Sequence, residues 1–344
     1  MQSRFFCVGM LHARIIMPMK PLLIVLTPVR NEAWVLHAFL KATSLWADYI
    51  IVADQMSTDG SRDIYPQYEK VIVVDNPRQE MHQARTRKLL FAEAQKIHGD
   101  KILFTLDADE FLSGDFINTP SWKLILNSIP NDIFCFSWIN LLNDPSQHTV
   151  QIPFHWASHI DNDMESGTFP DNQIHEYRLP YPRKVTHEYV IKDISFIHVA
   201  NLNKIRQYNK QRFYQVSTAF HCEKYSGIRL YRTYYSYPQN TMVFSTPDGI
   251  YDYYLSRGLD ILKEINLEDE GKHYVDNMLS NIQERGINHF KKINIWDRSF
   301  CEKYNLKDPR SWFDKLIFLY LRLTSKYSKT FLVRGIDKIL KKIY

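Results

Sequence analysis

The segment LDADEFL, residues 106–112, places three carboxylates within four positions: Asp107, Asp109 and Glu110. It follows Lys101 to Leu106, an apolar run of the kind that forms a buried strand. In an extended chain alternate residues share a side, so Asp107 and Asp109 point the same way. Like charges held together are costly unless a cation offsets them. Mg²⁺ or Mn²⁺ suits such oxygen ligands and keeps positions open for phosphate oxygens. The chemistry on offer is capture of a divalent cation by Asp107 and Asp109. His198, in SFIHVANLNK, ends another apolar run and is a candidate third ligand, an imidazole better suited to Mn²⁺ than to Mg²⁺.

Three further polar clusters also follow or lead into apolar runs. TPVRNE, residues 27–32, follows Leu22 to Leu26. ADQMSTDGS, residues 53–61, follows Tyr49 to Ala53, and its Asp54 can accept hydrogen bonds from a base or ribose. Asp59-Gly60 within it is a turn signal. QARTRKLLFAEA, residues 83–94, opens a helix with Arg85 and Arg87, which can stack on a base or pair with a diphosphate.

The elements that must position these groups alternate. Strands are predicted at 22–26, 49–53, 71–74 and 101–106, and helices at 32–45, 61–69 and 81–97. Such alternation predicts an α/β fold whose sheet is largely parallel and covered on both faces. Right-handed crossovers then gather the loops after the strands along one edge, where ligands bind in open α/β sheets. Further strands are predicted at 133–139, 185–190 and 194–199, with loops over 145–183. Beyond residue 203 the chain reads as helical and tyrosine-rich. The organisation expected is an extension over 1–18, a first half of the α/β domain over 19–118, a second half that completes the sheet over 119–205, and a helical region with a basic tail over 206–344.

In this order and spacing, LIVLTPVRNE, VADQMSTDGS, QARTRKLL and LDADEFL resemble the family 2 glycosyltransferases of GT-A fold. RKVTHEYV, residues 183–190, resembles the VHE-type element of bacterial lipopolysaccharide-core members. The resemblance implies a Rossmann-like sheet and transfer of a sugar, with inversion, from a nucleotide-diphosphate sugar to a saccharide or lipid-linked acceptor. It implies that Thr27, Pro28, Arg30, Asn31, Glu32, Asp54 and Ser57 hold the nucleoside, and that Arg85 flanks the base or diphosphate. Asp107 would contact the ribose or metal, Asp109 the cation. Glu188 would be the catalytic base, with Asp161, Asp163, Glu165 and Asp171 as competitors. The second-strand loop of the family usually reads closer to DDGSTDGT; Gln55 and Met56 depart from it. A UDP-sugar is the favoured donor, with GDP or another base left open.

Composition bounds these readings. The 344 residues carry a net charge of +5 and 45% hydrophobic residues, as in an ordinary globular protein. Four scattered cysteines without a CxxC pair argue against a zinc or redox motif. TPVRNE lacks the glycines that a sugar nucleotidyltransferase needs after its first strand, and no GxGxxG follows a strand. A nucleotidyltransferase and a non-catalytic carbohydrate-binding protein remain the alternative readings. Tyr225, Tyr231, Tyr234, Tyr235, Tyr237, Tyr251, Tyr253 and Tyr254 either stack on acceptor sugars or pack against the catalytic domain. The tail from Trp312 to Tyr344 is basic and amphipathic, which suits an anionic membrane surface. No nucleic-acid partner is expected, and the expected location is cytoplasmic, at the inner face of the membrane.

Overall fold

Four short strands, β1 (Leu22–Val29), β2 (Tyr49–Asp54), β3 (Val71–Asp75) and β4 (Lys101–Thr105), pair in parallel in the order β3-β2-β1-β4. The computed structural model describes residues 20–77, 83–160, 178–180, 182, 184–222, 225–236 and 242–344. Alternate strand residues separate onto two faces, as the pleat requires. Leu23, Val25, Ile50, Val52, Ile102 and Phe104 share one core with α1 (Ala33–Ser44). Ile24, Leu26, Ile51, Ala53 and Leu103 share another with α3 (Gln83–Gln95). The helix α2 (Ser61–Ile64) lies between β2 and β3. Each fully buried aliphatic side chain here contributes about 1.5–3 kcal/mol, so the double covering locks the strand register.

The second half of the sheet is mixed. After β5 (Glu110–Leu112) and α4 (Pro120–Leu126) come β6 (Ile133–Leu141), β7 (Gln147–Ile160) and β8 (Glu188–His198). The order continues β4-β7-β6-β8-β5; β7 runs antiparallel to both β4 and β6, β6 and β8 are parallel, and β5 is antiparallel to β8. Two expectations are corrected. Residues 147–160, expected as loop, form a strand of 14 residues. Its polar residues, such as Thr149 and Gln151, face a cleft rather than open solvent, so a polar composition did not mean a loop. The two strands expected at 185–190 and 194–199 are one, continuous through Lys192 and Asp193.

The C-terminal region comprises α5 (Lys204–His221), α6 (Gly227–Tyr231), β9 (Phe244–Ser245), α7 (Asp252–Leu255), α8 (Ile261–Glu264), α9 (Lys272–Arg285), α10 (Arg298–Lys303), α11 (Trp312–Leu323) and α12 (Phe331–Ile343). It is not a separate unit throughout. β9 pairs with β7, and Ile250, Tyr253, Tyr254, Leu259, Ile261 and Ile265 return to the core under the sheet. Val216 of α5, Met278 and Ile282 of α9, Phe290 and Trp296 form a second core. Among the described residues no helix is long and apolar enough to cross a membrane. The extension over 1–18, Asp161, Asp163, Glu165, Asp171 and Tyr237 lie outside the described residues.

Candidate active site

The parallel register brings the loops after β1, β2 and β4 to one edge. Leu26 lies beside Thr105, and Val29 beside Asp54, so the chain segments that follow leave the sheet together. They form one wall of a cleft of about 1220 Å³. Pro28, Arg30 and Glu32 line it from the first loop, Gln55 from the second, Arg87 from α3, and Asp107 and Asp109 from the fourth. The opposite wall is helical: Lys210 and Tyr214 of α5, and His273 and Tyr274 of α9.

The acidic turn after β4 is held from several sides. One carboxylate oxygen from each of Asp107, Asp109 and Glu110 comes within 4.8 Å of the other two. Arg178 donates from Nη1 to Glu110 Oε2 at 2.6 Å, and from Nη2 to Glu110 Oε1 at 2.9 Å and to Asp107 Oδ2 at 3.0 Å. Its guanidinium lies over the Trp156 ring, 3.7 Å from the centroid. Arg87 Nη2 donates to Asp107 Oδ1 at 2.7 Å, and the Asp107 N–H donates to Glu110 Oε2 at 2.8 Å. Burial pushes the Glu110 carboxyl up to about 7, although Arg178 pulls the other way.

Strand pairing delivers His198 to the same place. Glu110 on β5 is opposite His198 on β8, and the Val199 N–H donates to the Asp109 carbonyl at 3.0 Å. His198 Nε2 then lies 3.3 Å from Asp109 Oδ2, while its Nδ1 is 2.7 Å from Asn140 Oδ1. That second contact fixes the ring, the usual device for orienting a ligating histidine. Burial works against the Asp109 charge, but His198, Lys210 and Arg178 hold the carboxyl well below the usual carboxylate range. Both oxygens of Asp107 and of Glu110 are engaged by arginines, which leaves Asp109 and His198 as the donors best able to take a divalent cation. One carboxylate oxygen and one imidazole nitrogen are a fitting start for Mn²⁺.

The other expected site residues divide. Thr27, Asn31, Asp54 and Ser57 are buried behind the cleft wall. Asp54 is not free to meet a nucleoside: its Oδ1 accepts from the Ser57 N–H at 3.0 Å and from Arg62 at 2.7 Å, and its Oδ2 from the Tyr65 hydroxyl at 2.7 Å. Ser57 Oγ accepts the Asn31 N–H at 2.9 Å, and Asn31 Oδ1 accepts the Thr58 N–H at 2.7 Å. These residues stitch two loops together, and Asn31 takes the left-handed conformation (φ 57°) that the tight turn requires. Arg85 is exposed, whereas Arg87 is buried and lines the cleft. Two residues turn a helix by about 200°, so the two arginines of α3 face opposite ways, and Arg87 rather than Arg85 is the one at the cleft.

Glu188 is the clearest correction. It opens β8, exposed, with the Cys135 thiol 3.5 Å from its Oε1. His198 closes the same strand, ten residues on, a distance of about 30 Å at strand rise. The strand that carries His198 into the cleft thus carries Glu188 away from it.

Two cations of α5 had no signal in the sequence: Lys210, which lines the cleft, and Arg206, buried nearby. Lys210 makes no hydrogen bond or ion pair with another described residue. Burial opposes its charge, yet Tyr274, Tyr214, Asp109 and Glu32 hold its pKa well above the ordinary lysine value. Arg206, buried on α5, donates to the Asn31 carbonyl at 2.8 Å, to Glu32 at 3.0 Å and to Asp269 at 3.0 Å. Glu32 also accepts the Trp34 indole N–H at 2.5 Å, and burial raises its carboxyl despite Arg206. Of the eight tyrosines, Tyr231, Tyr253 and Tyr254 are buried in cores, and Tyr234 lines the cleft.

Residues 24–119 match the family model described as "Glycosyl transferase family 2". The matched stretch runs from β1 to the residue before α4 and contains TPVRNE, ADQMSTDGS, QARTRKLL and LDADEFL. The match covers less than a third of the chain, the part that carries the acidic turn after β4. No curated protein matches the chain. Among solved structures, mannose-1-phosphate geranyltransferase from Thermus thermophilus is similar at 13% identity and a TM-score of 0.28, over 40% of this chain and 50% of that one. This chain therefore spans half the length of that protein. The inositol-1-phosphate CTP transferase from T. maritima is similar at 9% identity and a TM-score of 0.32, over 51% of this chain and 88% of that one.

Proposed function

We propose that the protein is a metal-dependent glycosyltransferase. It moves a sugar, with inversion, from a nucleotide-diphosphate sugar, a UDP-sugar in the favoured case, to a hydroxyl of a saccharide or lipid-linked acceptor. The setting is cell-surface glycan synthesis at the cytoplasmic face of a membrane. The observation that carries this reading is the convergence of Asp109 and His198 on the cleft floor, at the carboxyl edge of a sheet whose first half matches family 2.

Each wall has a role in this reading. Asp109 and His198 hold the cation, with Asp107 beside them. A bound divalent ion there supplies charge stabilisation to a departing nucleotide diphosphate. Pro28, Arg30, Glu32 and Gln55 line the part of the cleft where the nucleoside would lie. Arg87 fixes Asp107 through its short hydrogen bond. Lys210, charged and without an ion-pair partner among the described residues, offers its ammonium to the phosphates from the helical side.

The test is donor hydrolysis with Mn²⁺, after a thermal-shift screen against UDP, GDP, CMP and dTDP sugars identifies the donor. The wild-type protein should hydrolyse that donor, and Asp109→Ala should lose both hydrolysis and metal-dependent nucleotide binding. Retention of both by Asp109→Ala would remove the metal assignment. Binding without turnover in the wild type would favour a binding protein.

A further inference from the structure

The last two helices each carry two apolar stripes, and only one is used. In α11 the inward stripe, Ile317, Phe318 and Leu321, packs with Ile228, Tyr231 and Tyr344. The other, Trp312, Leu316, Leu319 and Leu323, recurs at steps of four, three and four and faces solvent. In α12, Val333 is buried and Leu340 packs against the same cluster as Tyr344. Leu332, Ile336, Ile339 and Ile343 repeat the same steps and also face solvent. All eight outward residues are between 37% and 73% exposed, and Phe331 at the start of α12 is 94% exposed. Such spacing places each set on a single helix face. A soluble surface seldom leaves so many large apolar side chains open without a partner.

Charge selects the partner. Residues 312–344 contain eight lysines and arginines against two aspartates, so this short stretch carries more net positive charge than the whole chain. All eight cations are exposed. Both aspartates are buried and already bound: Asp314 by Ser311, and Asp337 by Arg232 at 2.8 Å and the Tyr320 hydroxyl at 2.9 Å. The charge this hairpin presents outward is therefore all cationic. A second copy of the chain would bring like charges together. An anionic bilayer accepts both the apolar stripes and the cations around them.

We propose that α11 and α12 are a docking face for an anionic lipid bilayer, and that the acceptor is carried by that membrane. The second clause rests on the glycosyltransferase reading. Lys341, on α12, lines the cleft, and so does Arg232, the ion-pair partner of Asp337. At 100° per residue, Lys341 lies roughly opposite the stripe formed by Leu332, Ile336, Ile339 and Ile343. One side of α12 thus borders the cleft while the other rests on lipid, setting the cleft about one helix diameter, ~10 Å, from the headgroups. That spacing suits an acceptor hydroxyl on a sugar near the lipid anchor.

The experiment is co-sedimentation with vesicles of phosphatidylcholine alone and of phosphatidylcholine mixed equally with phosphatidylglycerol. The wild-type protein should bind the anionic vesicles at least about tenfold more tightly than the neutral ones. The triple variant Leu332→Ser/Ile339→Ser/Ile343→Ser and the double variant Lys338→Glu/Lys342→Glu should each lose that binding. None of these residues lines the cleft, so the thermal shift with nucleotide sugar and Mn²⁺ should persist in both, which also reports that they fold. Absence of binding by the wild type, or equal binding by both variants, overturns the docking face. So does a wild-type dimer, seen by light scattering, that the triple variant converts to monomer. Vesicle binding by a wild type that ignores every nucleotide sugar would uphold the docking face and remove the donor reading alone.

Discussion

At the scale of single residues, two arginines in one motif separate cleanly. Arg87→Ala removes a buried donor to Asp107 and should lower kcat/KM by about 100-fold, the usual effect of deleting a charged hydrogen bond that orders a site. Arg85→Ala, on the exposed side of α3, should leave kcat/KM within a few-fold of wild type. Steady-state kinetics on both variants check this. His273 offers a second prediction. Burial, reinforced by Arg206, pushes its imidazole down to about 3. The unfolded chain binds that proton near pH 6.5, so between pH 6.5 and about 3 it holds more protons than the folded one. Stability from this group is fully present above pH 6.5 and is lost as the pH falls through that window. Thermal melts of His273→Gln should therefore show a flatter acid limb than wild type. The acidic residues of the site were legible because three carboxylates within four positions after an apolar run are unusual. Glu188 was not, because a local motif says nothing about which end of a long strand enters a cleft. Lys210 and Arg206 were not, because a cation on a helix acquires meaning only from the wall it faces.

At the scale of elements, Arg206 ties α5 to the loop after β1 and to Asp269 ahead of α9. Its guanidinium also lies 5.0 Å from the Trp34 ring centroid and 5.3 Å from that of Tyr274. Arg206→Ala leaves the half-buried Glu32 with only the indole donor of Trp34 and the buried Asn31 carbonyl without its donor, and should cost about 3 kcal/mol of stability. Urea unfolding measures that loss, and a change below about 1 kcal/mol would show the tie to be incidental. The strands and helices of the first hundred residues followed from periodicity, since β1, β2 and β4 are buried on both faces and β3, at the sheet edge, is still an unbroken apolar run. The stretch 147–160 hid from the same reading. It pairs on one side with β4 and on the other with β6, through two register irregularities, and its cleft-facing residues are polar. Such a strand lacks the apolar run that marks β1, β2 and β4.

At the scale of the whole molecule, the chain beyond residue 205 is required for the cleft and for part of the sheet's own core. The expected division at 205 falls at a change of secondary structure, not at a boundary between cores, because residues 250–265 pack against α1 and β5. Sequence alone marks such a boundary by composition, and composition does change there; the return of a later segment to an earlier core is invisible to it. One further consequence follows from Arg178 and Arg87. The crowded acids after β4 arrive with their own counter-ions, supplied by the polypeptide itself. Folding therefore need not wait for metal, and the apoprotein should be as durable on the shelf as the loaded form. Adding a chelator such as EDTA should leave the melting temperature unchanged within about 2 °C while abolishing turnover. On the proposed function, a cell short of the divalent ion would then keep the chain folded and idle, ready to restart when the ion returns, with no new synthesis.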